Sequence, residues 1–574
     1  MDSLTLSTYG EVIYIVSKLY LSNHQANLFI INCSNYHLLN FLHMFLQLNI
    51  TSSFYLSKYY IQLIKSRFYS ELFHILNNMI LTKNLSYLLK IKFTEVYPMK
   101  VKEKKRATLF DAIIPIVCLM LFLGISIFKY DASPHIPLIG GTLVAGLVAT
   151  FKLGYKWNEL EESIFNSIKM AMQAILIIMI VGVIIGTWII SGIVPSMIYW
   201  GLEILSPKIF LVATTLICAI VSIATGSSWT TMGTVGVALL GIGQGIGMPA
   251  PLVAGAIISG AYFGDKLSPL SDTTNLAPAM AGTNLFDHIK FMLYSTVPSL
   301  IICLILYGFI GMRYASTDLD FSQIVLIRET LLSSFNTLSP VLFLPPIIVI
   351  VLVVCKVPAI PGLITGAVLG FIFAIIFQGA NIGDILNAAY SGFVSDSGVA
   401  MVDELLSKGG LMSMMSTVSL TVIALSLGGI LERTGMLEAL ASSILRFAKG
   451  TFGIVFATMA TCVMTNAVAG EQYLSVVIPG RMYKEEYTKR NLHPKMLSRA
   501  LEDSGTMSSA LIPWNTCGAY IYGTLGVSTF AYFPFAFLNL INPLISLFLI
   551  AINFKVATLT PQEKTKLEQG EVLA

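Results

Sequence analysis

The residues most able to do chemistry in this chain lie in one stretch, Ser259 to Asn284, SGAYFGDKLSPLSDTTNLAPAMAGTN. Between long apolar runs it carries two carboxylates, Asp265 and Asp272, one ammonium, Lys266, and the small polar groups Ser268, Ser271, Thr273, Thr274 and Asn275. Pro269 and Pro278 each remove a backbone donor and clash with the preceding turn, so the spacing predicts an interrupted helix. Broken, polar backbone at membrane depth is tolerated only inside protein or along a watery cavity. Ionisable groups in that setting are costly, and their default reading is an ion or proton path.

Three more polar patches interrupt the apolar pattern. Thr225, Ser227, Ser228, Thr230 and Thr231 fall within TGSSWTTMG, and Asn466 and Glu471 fall within NAVAGEQ. The last patch holds Glu502, Asp503, Ser504, Thr506, Ser508 and Asn515. A hard monovalent cation such as Na⁺ takes several oxygen ligands, which helix-end carbonyls, hydroxyls and one or two carboxylates supply. A buried carboxylate that holds a proton near neutral pH, and releases it when a cation arrives, is sufficient for exchange if the loaded site faces either side. Asp265 and Asp272 are the expected cation or proton carriers, Glu471 and Asp503 are expected to shape the opposing side, and the hydroxyls complete the shell.

Blander roles stand beside these. A serine or threonine in a span often only bonds back to a carbonyl one turn earlier. Lys266 has a neighbouring aspartate to pair with, Glu432 and Arg433 suit a structural or solvated role, and Asp396, Asp403 and Glu404 lie in a Gly/Ser-containing linker. GIGQGIG (241–247) lacks a preceding soluble strand and a later acidic partner, so helix packing or a loop explains it better than nucleotide binding.

The elements that must position these groups are membrane helices. Of 574 residues 55% are apolar and 11% charged, with mean hydropathy +0.77; a soluble domain carries roughly 25% charged residues. The fold class expected is an all-α polytopic membrane protein of about ten to thirteen spans. Spans are expected at about 110–128, 137–151, 171–190, 209–224, 231–247 and 293–312, then at 340–354, 359–378, 417–431, 452–469, 510–525 and 530–553. The net charge of +4 therefore bears on orientation in the bilayer and does not point to nucleic acid. Seven cysteines (33, 118, 218, 303, 355, 462 and 517) are scattered singly, which reads as buried apolar residues without a disulfide framework or metal site.

Residues 1–98 differ from the rest, with one glycine, Gly10, and one proline, Pro98, out of 44 and 22 in the chain. They hold no clean span and no cleavable signal peptide. Met99 opens a basic cluster, Lys102, Lys104, Lys105 and Arg106, followed at once by the first span. The expectation is that translation starts at Met99; an accessory segment is the competing reading. The boundaries expected are 1–98, a first transmembrane repeat over 99–312, a connecting loop over 313–339, a second repeat over 340–529, and a last span with a cytoplasmic tail over 530–574.

The two halves repeat each other. A shift of 243 lays GTWIISGIV (186–194) on GILERTGML (429–437) and ATGSSWTTMGTVG (224–236) on AVAGEQYLSVVIP (467–479). With a change of spacing, GDKLSPLSDTTN (264–275) faces EDSGTMSSALIPWN (502–515). The loop at 480–499 carries six Lys/Arg and should be cytoplasmic, whereas its counterpart at 241–251 has no charge. Opposite bias in equivalent loops is what an inverted repeat with interrupted helices or re-entrant hairpins predicts, and in such transporters the site lies where the broken helices meet.

GAYFGDKLSPLSDTTNLAPAMAGTNLFDHI (260–289), ATGSSWTTMGTVG (224–236) and RALEDSGTMSSALIPWNTCGAY (499–520) resemble the NhaC family of sodium/proton antiporters. The resemblance covers about 107–553 and leaves 1–98 outside. It implies gradient-driven exchange of Na⁺ for H⁺ by alternating access across a bacterial cytoplasmic membrane, serving sodium and pH homeostasis, with the 102–106 cluster on the cytoplasmic side. The family also includes exchangers of organic acids such as malate and lactate, and that is the rival reading; its cargo would want a basic or anion-binding feature at the site, such as Lys266 or half-helix N-termini. The motif positions the resemblance implies are Asp265, Asp272, Thr273, Thr274 and Asn275 in the first half and Glu502, Asp503, Ser504 and Thr506 in the second. Na⁺ and H⁺ are expected as cargo, with Na⁺ held by Asp265 and Asp272, no cofactor and the bilayer as the surrounding partner. No HExxH, GxSxG or paired Cys/His set suggests an enzyme, and a passive channel fits a titratable buried site poorly.

Overall fold

In a computed structural model of the chain, the residues described run from 104 to 568, apart from 131, 205 and 316–320. The expectations for 1–98 and for Cys33 lie outside them. Everything regular among the described residues is helical, except an isolated antiparallel bridge between Leu492 and Thr558.

The first half opens with α1 (Leu109–Gly124), started by a capping box in which Thr108 and Asp111 satisfy each other's backbone donors. There follow α2 (His135–Leu147), the amphipathic α3 (Trp157–Met170), α4 (Met172–Ile190), α5 (Ile193–Ile204) and α6 (Pro207–Thr225). Helix α7 begins at Ser228–Thr231, passes through a π turn at Met232–Gly236 and ends in Val237–Gly245. Next come α8 (Ala250–Leu267), the short α9 (Asp272–Ala281) and the long α10 (Leu285–Ala315).

Helix α11 (Phe321–Ser334) links the halves. The second half contains α12 (Leu344–Val354), α13 (Ala359–Gln378), α14 (Ile382–Ser391), α15 (Ala400–Leu406), α16 (Met415–Arg433), α17 (Met436–Arg446) and α18 (Gly450–Ala469). It continues with α19 (Gln472–Lys489) and with α20, which runs from Pro494–Leu501 through a π turn at Glu502–Thr506 to Met507–Ser509. The chain then forms α21 (Thr516–Leu525), α22 (Thr529–Tyr532), α23 (Phe537–Ala551) and α24 (Pro561–Glu568).

Eight of the described helices are long and apolar enough to cross a bilayer, or nine if the bent pair α22 and α23 is one span; α5 and the segment Pro340–Val354 are shorter apolar helices. The expected spans at 231–247 and 510–525 fall on broken elements. The first is interrupted by the π turn of α7, and the second shrinks to α21 because Pro513 and the cap at Asn515 stop the helix. Hydropathy alone passed over α5, α8 and α19. Helix α8 mixes glycine, serine, aspartate and lysine into its apolar face, and α19 ends in charge. The loop expected over 480–499 is only 490–493; most of its charge lies on the helix ends of α19 and α20.

Several elements recur in the two halves at a near-constant offset. Gly192 and Gly435, both left-handed, precede α5 and α17, an offset of 243. From the end of α6 onward the offset is 244: α9 and α21 are each ten residues, start at Asp272 and Thr516, and end on left-handed Gly282 and Gly526. The extra residue is in α18, which is 20 long where α6 is 19. Packing is reciprocal across the halves: α4 lies against α13 and α14, and its counterpart α16 lies against α2 and α3.

Candidate functional site

Two breaks in each half build the site. Helix α6 stops at left-handed Gly226, and Ser227 caps α7 by accepting from Thr230 N at 3.1 Å. Helix α8 stops at Ser268, and Ser271 caps α9 by accepting from Thr274 N. The breaks touch: a Cβ on Gly226 would lie 2.6 Å from Leu270 Cβ. Below them α6 and α8 pack backbone to backbone, since a Cβ on Gly260 would lie 2.2 Å from the Thr215 carbonyl and one on Gly264 2.4 Å from that of Ala219. The second half repeats the crossing, with Gly470 against Trp514 at the corresponding positions.

Asp265, on the last turn of α8, is buried with its carboxylate at the start of α7. Its Oδ2 accepts from Ser228 N at 3.1 Å and Ser228 Oγ at 2.6 Å. The unpaired N–H groups and dipole of a helix start favour such an anion. Thr274 Oγ1 donates to the carbonyls of Asp265 and Lys266, each at 3.0 Å, and ties the end of α8 to α9. Ser271 and Thr273 hydroxyls are 3.2 Å apart, and Thr273 Oγ1 donates to Glu502 Oε1 at 3.1 Å. Helix α9 therefore reaches both sides, with Thr274 on the Asp265 carbonyl at the end of α8 and Thr273 on buried Glu502 of the second half.

The π turn of α20 sends its two consecutive carboxylates to different partners. Glu502 faces Thr273, with Thr506 one turn on beside it. Asp503 instead forms a fully buried ion pair with Lys266. Its Oδ1 also accepts from Asn542 Nδ2 at 2.9 Å, its Oδ2 from Ser295 Oγ at 2.9 Å, and Arg499 Nε lies 3.9 Å away.

In the second half Glu471 caps α19, accepting from Tyr473 N at 3.3 Å; its Oε2 is buried without a hydrogen-bond partner. Tyr473 OH donates to Asp272 Oδ2 at 3.3 Å. Asp272 itself is exposed at the start of α9, as is Asn275, whose amide donates to the carbonyls of Pro269 and Ser271. Asn466 is committed to the scaffold: it donates to the Gly505 carbonyl at 2.6 Å and to Ser508 Oγ at 2.9 Å, and accepts from Asn515 at 3.0 Å. Thr231 and Ser504 bond back one turn, to Ser227 O and Ala500 O, and Thr225 lies 3.5 Å from Thr231.

The structure thus brings together Ser228, Asp265, Ser271, Thr273, Thr274 and Glu502. It sets Asp272 with Glu471 and Tyr473, and separates off Asn466 and Asp503. Tyr473, Ser295, Asn542 and Arg499 join these carboxylates beside the expected residues. Asn542 carried a visible signal, a polar residue inside an otherwise apolar last span; Arg499, now buried over Phe291 at 4.5 Å, looked like loop charge.

Crossed, broken helices holding buried carboxylates inside a polytopic helical bundle make the class that of a membrane transporter. The profile of the Na⁺/H⁺ antiporter family matches residues 260–554, and the chain belongs to that family. It is 41% identical over 445 residues to the Na⁺/H⁺ antiporter NhaC of Alkalihalophilus pseudofirmus, covering 77% of this chain and 96% of the relative. It is 37% identical to the malate-2H⁺/Na⁺-lactate antiporter of Bacillus subtilis, covering 77% and 94%. It is 36% identical to the arginine/ornithine antiporter ArcD of Halobacterium salinarum, covering 80% and 95%.

Proposed function

We propose that this protein exchanges Na⁺ for H⁺ across a bacterial cytoplasmic membrane, with Asp265 as the carboxylate that holds either ion. The observation that carries the reading is the placement of Asp265: buried, aimed at the start of a broken helix, and next to α9, whose Thr274 holds the Asp265 carbonyl and whose Thr273 reaches Glu502 of the other half. Ser228 and the break carbonyls supply neutral oxygens for Na⁺, and Glu502 and Thr273 complete the shell on the opposite side. Asp272, exposed and held by Tyr473, stands at the mouth as the first carboxylate an arriving cation meets, with Glu471 behind it. The reciprocal packing of the halves supports an inverted repeat in which one crossing rocks against the other and alternates access.

Exchange of organic acids is the second reading, favoured by the likeness to the malate/lactate antiporter. Of the anion-binding features it could draw on, Lys266 is committed to Asp503, and the half-helix N-termini at the breaks remain. Proteoliposomes holding a pH-sensitive dye separate the two. With the lumen acidified, external Na⁺ alone is expected to alkalinise it, and Asp265→Asn to abolish the response. A response that requires malate as well as Na⁺ moves the protein to the second reading.

A further inference from the structure

Helices α2, α3 and α16 enclose an outward-facing apolar groove of about 520 Å³. Ile139, Leu143 and Gly146 line it from α2, Trp157 and Ile164 from α3, and Ile423 from α16. The hydroxyls of Thr142 and Ser426 also line it, but they donate back to the Leu138 and Val422 carbonyls, each at 2.8 Å, so the wall offers hydrocarbon. Helix α2 continues through a π turn at Val148–Leu153, and the groove follows it from Ile139 to Thr150. At 1.5 Å per residue that is about 16 Å, half of a hydrocarbon core of roughly 30 Å and so the depth of one leaflet. Cations gather where it ends. Lys105 N donates to the Leu153 carbonyl at 3.1 Å, which lays the chain before α1 across the end of α2. Lys152, Lys156 and Arg433 reach the same end from α2, the start of α3 and the end of α16. Lys104 pairs with Glu159 and Lys152 with Asp111. Lys105, Arg106 and Lys156 are exposed and have no ion-pair partner among the described residues; Glu161 and Glu162 lie further along α3.

We propose that the groove and this basic end together bind an anionic membrane phospholipid, with one acyl chain in the groove and the phosphate over Lys105, Arg106 and Lys156. Charge complementarity selects this occupant. A chain lying along α2 from one leaflet brings its headgroup to the end of α2, where the unpaired cations stand. A guanidinium takes a phosphate through two parallel hydrogen bonds, and the lysines add charge without fixed geometry. Trp157 lies between the groove and the basic end, at the headgroup level where amphipathic rings gather. A neutral lipid would fill the groove and leave those cations unmatched, and a second copy of the chain would have to bring carboxylates to them. None of these residues belongs to the helix crossings, so the inference stands whichever solute is exchanged.

Trp157 makes the site measurable in the full chain, reconstituted in phosphatidylcholine vesicles. Small fractions of brominated phosphatidylglycerol or brominated phosphatidylcholine are mixed in, and the quenching that disappears in Trp157→Phe isolates this ring among the five tryptophans. The anionic lipid is expected to quench Trp157 at roughly one-tenth the mole fraction the neutral one needs, about what one or two basic residues contribute. Lys105→Gln/Arg106→Gln/Lys156→Gln is expected to abolish that preference while both lipids still quench. In Gly146→Leu the new Cβ meets nothing nearer than Trp157 at 3.7 Å and the side chain fills the groove, so quenching by both lipids is expected to fall. Equal quenching by the two lipids in the unmodified chain overturns the proposal, as does a preference that survives the triple variant or unchanged quenching in Gly146→Leu. If the triple variant does not fold, salt decides: a preference that persists at about 1 M, where charges are screened beyond about 3 Å, overturns the proposal, and its loss supports it. Quenching by neither lipid means that a second copy of the chain covers the groove, and overturns it too.

Discussion

Gly226 and Gly470 occupy the same place in the two halves, 244 residues apart, each with φ of +66°. Each ends a long helix, and each is followed by an extended residue that caps the next helix, Ser227 in one half and Glu471 in the other. The backbone is therefore conserved between the halves while the chemistry differs. The first half brings its carboxylate to the helix start from the neighbouring α8, as Asp265, and the second carries it at the cap itself.

Alanine at Gly226 meets two obstacles, and only one at a comparable exposed turn. A left-handed alanine costs roughly 1–2 kcal/mol. At Gly226 its Cβ also lies 2.6–2.7 Å from Leu270, which adds about 1–3 kcal/mol of overpacking. Gly526, with φ of +72° and open space around its Cβ position, carries the conformational cost alone. Purified Gly226→Ala is expected to melt lower than Gly526→Ala and to lose most of its Na⁺-dependent flux. Equal melting points would show that the two breaks do not press on each other.

The broken helices are legible because proline, glycine and hydroxyl residues have local meaning, and the matching helix ends because their glycines recur at nearly one offset. The register was legible only to within one residue, since the extra residue of α18 is hidden in a featureless apolar run. Which carboxylate stays free was not legible. Glu502 and Asp503 are adjacent, and the π turn that separates their partners, like the Lys266 contact 237 positions away, is a tertiary outcome. Asn466 had the right chemistry for an ion ligand and is used to hold the second crossing together.

Outside the spans, the segment after α23 docks on the short turn before α20. His493 N donates to the Ala557 carbonyl and Leu559 N to that of Asn491, each at 3.0 Å, and His493 lies 3.9 Å from Glu563. Burial, with Lys495 nearby, holds the His493 imidazole below its ordinary value. The Thr560 backbone and hydroxyl hold Glu563 below the usual carboxylate range. Both depressed groups stabilise docking above their undocked values and lose that contribution as pH falls. Amide protection in 556–564, taken relative to the intrinsic exchange rate at each pH, is expected to fall first as pH drops below about 6.5 and again below about 4.3. His493→Gln should remove the first step only; an unchanged two-step profile in that variant would mean His493 does not govern docking.

Thr273 is the bridge between the halves of the site. Thr273→Val keeps the shape and removes the hydroxyl that reaches Glu502. A hydrogen bond to a charged group contributes about 1.5–3 kcal/mol, so the Na⁺ concentration for half-maximal exchange is expected to rise by roughly 10- to 100-fold. Thr273→Ser should stay near wild type. The comparison is read from dye-reported flux over a Na⁺ series, and a Thr273→Val protein with wild-type half-saturation removes Glu502 from the ion's surroundings.

Asp265 and Ser228 define the strongest expectation. Asp265→Asn keeps a side chain that accepts from Ser228, but it has no charge to hold Na⁺ and no proton to exchange, so flux should fall to the level of empty vesicles. Ser228→Ala removes the 2.6 Å donor and leaves the 3.1 Å backbone one. The carboxylate stays at the helix start, and the maximal rate should be retained while Na⁺ half-saturation rises about tenfold, the loss of one charge-assisted hydrogen bond. Asp272→Asn, at the exposed mouth, should weaken Na⁺ capture at low concentration and leave saturated exchange intact. The reverse ranking, with Asp272→Asn silent at every Na⁺ concentration and Asp265→Asn active, would place the ion at the exposed carboxylate and leave Asp265 as a cap for α7.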